Sequence, residues 1–172
     1  DDLNAKIEST NAKFLMLSHM RGHIVDMEAL LKITDEAGIK VIEDCAHTMG
    51  ANWNGITSGR SGIVGCYSTQ TFKHINSGEG GFLITDDVEI MAKATMLSGS
   101  YMLYESHLAG APIEAFENIR LDTPNCSGRM DNLRAAILRP QLENLSIQAN
   151  RWNKRYRKLE NGLNQVEDIR LI

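Results

Sequence analysis

An α/β domain with a largely parallel sheet is what the order of apolar patterns in this chain of 172 residues predicts. Three observations carry it. Continuous apolar runs at 13–20 (KFLMLSHM) and 39–42 (IKVI) read as buried strands. Between them, Met27, Leu30, Leu31 and Ile33 recur at helical spacing. Further on, runs at 64–69 and 82–85 read as strands and are followed by a second helical pattern. Strand, helix, then three strands and a helix is the alternation of a layered α/β unit.

Each element has a local reason. Asp26 is the expected N-cap of the first helix and Gly38 its terminator. The strand 39–42 runs into Asp44 at its C-terminal end, the edge at which open α/β sheets place their ligands. Residues 52–65 are rich in Gly and Ser, with Asn54-Gly55 a strong turn signal ahead of the strand 64–69. A tight turn at 77–81 feeds the strand 82–85, and Asp86 is the expected cap of a helix to about Leu97. Residues 98–126, with Pro112 and Pro124, read as a long irregular excursion of the kind that is functional or mobile. From Arg129 a helical pattern runs to about Leu163, with Pro140 expected to break or kink it. No internal repeat, low-complexity segment or linker interrupts the chain.

Composition narrows the function. A chain that is 42% hydrophobic and 23% charged has enough material for a core, so one globular domain is the default. A net charge of −4, with 18 scattered Lys and Arg, gives no electrostatic case for nucleic acid or an anionic membrane, and favours a small-molecule ligand. Cys45, Cys66 and Cys126 form no C-x-x-C pair and no zinc spacing, which reads as a reducing compartment. No apolar run approaches the roughly twenty residues of a membrane span, and residues 1–4 lack a signal-peptide pattern, so a cytoplasmic location is expected. The chain opens without methionine and closes on an apolar run, 166–172, that looks like the opening of a strand; both ends look cut.

The most informative chemistry is Lys73, about thirty residues after Asp44-Cys45-Ala46-His47. A lysine in Schiff-base chemistry must lose its proton near neutral pH, in a desolvated or cationic setting. The carbonyl compound it bonds needs a partner that keeps an electron-sink ring protonated. Lys73 and Asp44 are candidates for those two jobs. Gly78-Glu79-Gly80-Gly81 supplies a turn just beyond the lysine, a geometric role in which Glu79 is read as solvated. His19, His23, His74 and His107 show no metal spacing and read as structural or solvent-facing. Trp53, beside a turn, is read as core or as part of a pocket wall.

These residues carry a family resemblance. Val41-Ile42-Glu43-Asp44-Cys45-Ala46-His47, Ser68 five residues before Lys73, and Gly78-Glu79-Gly80-Gly81 together resemble the signature of the DegT/DnrJ/EryC1/StrS family of pyridoxal-phosphate (PLP) aminotransferases. Ser18-His19-Met20-Arg21-Gly22 with Asp26-Met27 resembles the family's strand, glycine turn and helix start. Arg129-Met130, Ala135-Ala136 and Gln141-Leu142 resemble its later helix.

The resemblance implies a fragment of the three-layer large domain of fold type I: residues 1–128 a cofactor-binding α/β part, 129–172 a helical extension toward a C-terminal domain. It implies that Lys73 forms the Schiff base with PLP and then moves the proton. Asp44 would pair with the pyridine nitrogen, His47 would stack on the ring, and Ser68 would bond the phosphate, with Ala46 beside them. Ser127 stands where the family usually has the asparagine that reaches the phosphate of the partner subunit; Ser127 or Asn125 is the donor expected there. The implied reaction moves an amino group from a glutamate-like donor to a nucleotide-linked keto-sugar, in a homodimer with shared sites. Relatives that dehydrate the sugar carry His in place of this lysine, so Lys73 favours transamination. A non-catalytic α/β homologue or an inactive fragment, with a scaffold or regulatory role, is the alternative.

Overall fold

A computed structural model describes residues 2–99, 103–106 and 110–171. In chain order the elements are α1 (Asp2–Ser9), β1 (Phe14–Ser18), α2 (Met27–Glu36), β2 (Lys40–Asp44), β3 (Asn52–Trp53), β4 (Ile56–Thr57), β5 (Val64–Ser68), β6 (Gly81–Ile84), α3 (Val88–Ser98), α4 (Asn132–Glu143) and α5 (Leu145–Leu163). Short 3-10 turns occur at Met20–Gly22, Tyr104–Ser106 and Ile113–Phe116. Among the described residues, no helix is long and apolar enough to cross a membrane.

The main sheet has the order β1-β2-β5-β6. β1, β2 and β5 are parallel, with Ser18 beside Asp44 and Asp44 beside Cys66. β6 returns antiparallel through the glycine turn, pairing Cys66 with Leu83. The α/β class and mainly parallel sheet read from the sequence are the architecture found. Paired and alternate residues share a face, which sorts the sheet into two unlike surfaces. Val41, Glu43 and Tyr67 are buried on one. On the other, Phe14, Met16, Cys66 and Leu83 stay exposed, and Ser18 and Asp44 stand among them.

Local chemistry explains the elements. Asp26 caps α2, its Oδ1 accepting the Ala29 N–H at 3.0 Å, a contact typically worth about 1 kcal/mol. Gly38 then takes φ +67 to let the chain turn back. Asn54 (φ +47) and Gly55 (φ +83) form the two-residue turn of the β3–β4 hairpin, a geometry that favours the Asn-Gly pair.

Several expectations are corrected. α3 is capped by Asp87, whose Oδ1 accepts the N–H groups of Glu89 and Ile90; Asp86 instead ion-pairs with Arg60 at 2.8 Å. The later helix starts at Asn132, not Arg129, because Asp131 accepts the Arg134 N–H at 2.9 Å and caps it. Pro140 lies inside α4, and the break comes at Asn144, whose Nδ2 donates to the Pro140 carbonyl at 2.8 Å. Residues 166–171 form no strand, since none of the described residues pairs with them. α1 has only Leu3 and Ile7 as a short apolar pair and buries no side chain fully, too weak a pattern to announce a helix.

Of the excursion 98–126, residues 100–102 and 107–109, and with them His107, lie outside the described residues. The remainder is irregular but packed. Tyr104 stacks on Phe116 with ring centroids 4.3 Å apart, and both close on Ala92 and Met96 of α3 as a buried apolar cluster.

Candidate functional site

Asp44 ends β2, the strand flanked on both sides by parallel neighbours. The Ser18 hydroxyl donates to its Oδ2 at 2.9 Å, and the Ala46 N–H to its Oδ1 at 3.1 Å. The carboxylate is therefore aimed by two donors, while each oxygen keeps a lone pair for another. Ser68 sits on the same sheet face, one side-chain repeat (roughly 7 Å) past Cys66, the strand neighbour of Asp44. Its Oγ accepts the Gln70 N–H at 3.3 Å, which leaves the hydroxyl proton to be donated elsewhere.

Just past β2 the chain turns, with the Thr48 N–H bonded to the Cys45 carbonyl at 3.1 Å. Here the Nδ1 of His47 accepts the Arg21 N–H at 2.8 Å. That bond fixes the tautomer with the proton on Nε2, and it fixes the ring plane as well.

Lys73 lies on the loop between β5 and β6. The loop is held by its own backbone: Thr69 N–H to the Gly80 carbonyl at 2.9 Å, Thr71 N–H to Gly78 at 3.0 Å, Lys73 N–H to Gln70 at 2.9 Å. Lys73 is half-buried, and among the described residues no carboxylate lies within salt-bridge reach of it. A cavity of about 1040 Å³ joins Lys73 to Ala46 and His47, and α5 closes it with Trp152, Asn153 and Tyr156. Asp44 and Ser68 are not on its wall; they stand at the strand ends adjoining it.

Ser127 is not brought to this cavity. It is exposed, at φ +51, on a segment tied to the end of α3 by the Cys126 N–H to Leu97 carbonyl bond of 2.8 Å and the Arg129 N–H to Ser98 carbonyl bond of 2.9 Å. The Asn125 Oδ1 accepts the Ser127 N–H at 2.8 Å, so this asparagine serves its own loop.

The wall also holds residues that had no part in the sequence reading of the site, among them Arg21, His74, Trp152 and Tyr156. His74, read as structural or solvent-facing, lies 5.2 Å, centroid to centroid, from the Trp152 ring. As a whole residue His74 stays exposed, as the sequence reading allowed, yet the partial burial of its ring pushes the imidazole below the usual histidine range, and the nearby His47 and Lys73 push it the same way. Trp53 does not line the cavity; it is half-buried in the hairpin, its Nε1 buried without a partner among the described residues.

His19, Glu43 and Cys45 form a buried cluster with their polar atoms within 4.8 Å of one another. The Glu43 carboxylate is already saturated. Its Oε2 receives the Gly59 N–H at 2.8 Å and His19 Nε2 at 2.9 Å, and its Oε1 receives the N–H groups of Ser61 at 2.8 Å and Gly62 at 2.6 Å. With four donors on its four acceptor sites, Glu43 ties β2 to the end of β1 and to the loop 59–62. Burial pushes the Cys45 thiol up.

A lysine in a basic cavity, beside an aimed carboxylate at a parallel sheet's C-terminal edge, is matched by the comparison with known proteins. The model of the DegT/DnrJ/EryC1/StrS aminotransferase family matches residues 1–172. The chain belongs to this family. Among curated relatives, the L-glutamine:scyllo-inosose aminotransferase of Streptomyces griseus is 32% identical over 149 residues, covering 86% of this chain and 35% of the relative. The dTDP-3-amino-3,4,6-trideoxy-alpha-D-glucose transaminase of Streptomyces venezuelae is 30% identical over 153 residues, covering 87% and 35%. The crystal structure of 3-amino-5-hydroxybenzoic acid synthase superposes at a TM-score of 0.71 and 27% identity, covering 95% of this chain and 41% of that one. The E. coli GDP-4-keto-6-deoxy-D-mannose-3-dehydratase with bound hydrated PLP superposes at 0.69 and 26%, covering 91% and 42%. The chain thus spans about a third of the length of the curated relatives it matches.

The residues of this family member fit PLP by the chemistry of the donor set. Asp44 keeps acceptor capacity for a ring N–H. Ser68 keeps a hydroxyl proton, His47 offers a fixed flat ring, and Lys73 offers an amine that, among the described residues, no carboxylate reaches.

Proposed function

We propose that the chain is the cofactor-binding part of a PLP-dependent aminotransferase that moves an amino group from a glutamate-like or glutamine donor onto a ring ketone, most specifically a nucleotide-linked keto-sugar. The observation that carries this reading is the single cavity shared by Lys73, His47 and Ala46, with Asp44 aimed at the strand end beside it.

When bound, PLP supplies a carbonyl that condenses with amines and a ring that accepts the electron pair left by proton loss. The protein supplies the rest. Asp44 would accept the pyridine N–H and hold it in place. His47, its plane set by the Arg21 N–H, would pack on the ring. Ser68 would donate its hydroxyl to the phosphate, and Ser127 would serve the phosphate of a partner subunit in a homodimer. Lys73 would hold the cofactor through Nζ, and its amine would serve as the base and acid that moves a proton at the reacting carbon. Residues 129–172 form the helical extension that closes the cavity from above, and the cytoplasm is the compartment that suits three free thiols.

The test is direct. The chain is incubated with PLP, reduced with borohydride and digested, and the modified peptide is located by mass. Modification at Lys73, absent in Lys73→Ala, is expected. A chain that takes up no PLP at Lys73 at millimolar cofactor would reject the reading in favour of a non-catalytic homologue.

A further inference from the structure

We propose that Arg21 anchors an anionic group of the substrate, a carboxylate or a phosphate, in the cavity that Lys73 shares. The proposal rests on the reading of Lys73 given under Proposed function and names the part of the substrate this wall would hold.

The charge of the cavity wall is one-sided. Arg21, His47, Lys73 and His74 line it and no Asp or Glu does, in a chain whose net charge is −4. Such a concentration of cationic and imidazole groups raises the local concentration of anions. Elsewhere Arg60, Arg134, Arg139 and Arg157 each reach a carboxylate. Among the described residues, none lies within salt-bridge distance of Arg21. Its planar fork of donors matches a carboxylate or phosphate edge.

The backbone holds Arg21 in place at a cost. It lies at φ +56, ψ +21, the left-handed region that a non-glycine residue enters only against steric strain. The bond from its N–H to His47 Nδ1 at 2.8 Å keeps it there. Its neighbour Gly22 also runs close, since a Cβ at Gly22 would stand 3.3 Å from the His47 carbonyl oxygen. The side chain thus leaves from a fixed point on the cavity rim.

Sheet order separates this anion from the cofactor's own phosphate. Arg21 follows the end of β1 and Ser68 ends β5, with β2 and Asp44 between them. Two strand spacings put the ends of β1 and β5 roughly 10 Å apart. A phosphate on Ser68 therefore leaves Arg21 for a second anion. Trp152 and Tyr156, one turn apart on α5, give the same cavity an apolar wall for a ring.

The experiment uses the chain with Trp53→Phe, which leaves Trp152 as its one tryptophan. Trp152 emission is followed against L-glutamate, UDP and inorganic phosphate in turn. Saturable binding of at least one probe is expected, weakened tenfold or more by Arg21→Gln and by Arg21→Gly. Stronger binding of UDP assigns the site to a phosphate, and stronger binding of glutamate to a carboxylate. Arg21→Gly is the folding control, because glycine suits φ +56 and its melting temperature should not fall. Equal affinity in the parent and both variants, or no binding of any probe, overturns the proposal. So does a loss in Arg21→Gly of PLP fixation at Lys73 with pyridoxal fixation intact, which would give Arg21 the cofactor phosphate. If the parent fixes no PLP at Lys73 yet binds an anion through Arg21, the anion site stands and only the cofactor reading falls.

Discussion

The side-chain amide of Gln141 in α4 is bonded to both backbone polar groups of Asn76, three residues past Lys73. Its Oε1 accepts the Asn76 N–H at 3.0 Å and its Nε2 donates to the Asn76 carbonyl at 2.8 Å. Across 65 positions of sequence, this pair fastens the lysine loop to the helical layer. Gln141→Ala should cost about 1–3 kcal/mol in urea unfolding, since two partly buried backbone groups lose their partner. Gln141→Glu keeps the acceptor but sets an oxygen against the Asn76 carbonyl, so it should cost at least as much. If both variants unfold at the parent's urea midpoint, the clamp is not holding the loop.

Glu43 makes a sharper demand. Its carboxylate takes four donors, three of them from the backbone of the loop 59–62. Glu43→Gln is close in shape, but its NH₂ must face N–H groups where an oxygen stood. A loss of about 3 kcal/mol is expected, or about 6–12 °C in melting temperature for a chain of this size. A shift under about 2 °C would mean that water or loop movement satisfies those donors instead.

The division between what the sequence disclosed and what it concealed follows how local each signal is. β1, β2, Asp26 as a cap and the Asn54-Gly55 turn depend on residues within a few positions of one another. Asp44 and Lys73 stand out in the sequence because the expected chemistry calls for those residue types, and the fold puts one at the C-terminal end of β2 and the other on the loop between β5 and β6. Asp86 and Asp87 are adjacent and chemically equal, and only the direction of the helix axis decides which carboxylate meets the free N–H groups. The break at Asn144 instead of Pro140 is likewise set by packing, as the proline ring is tolerated within α4. The cavity wall was the least legible part. Trp152 and Tyr156 sit in a polar helix, and only the fold of α5 over the sheet brings them to face Lys73.

His74 makes stability depend on pH in a definite direction. Its pKa is lowered in the folded chain by partial burial, then by His47 and Lys73. The unfolded chain then binds the proton more readily, so stability rises with pH through this window. Nothing is lost above the ordinary histidine value of 6.5, and the penalty grows as pH falls through it toward the lower folded value. His74→Gln should therefore lose less stability than the parent between pH 7.5 and pH 5, as read from melting temperatures. Proton NMR of the His74 ring should titrate below 6.5. A ring that titrates at or above that value would refute the assignment.

Asp44 allows cofactor chemistry to be separated from folding. In Asp44→Asn the Oδ1 can still accept the Ala46 N–H, and the Nδ2 would face Ser18, whose hydroxyl can rotate to accept instead of donate. The substitution should therefore cost less than about 1 kcal/mol of stability. Its effect on PLP should be larger, because a neutral amide no longer favours the protonated ring nitrogen. Fixation of PLP at Lys73 by borohydride, at cofactor levels that half-saturate the parent, should drop several-fold. Ser18→Ala, which removes one of the two donors aiming the carboxylate, should fall between the two. Equal fixation in the parent, Asp44→Asn and Ser18→Ala would show that the ring nitrogen does not meet Asp44, and the pyridine would then have to lie against another part of the strand edge.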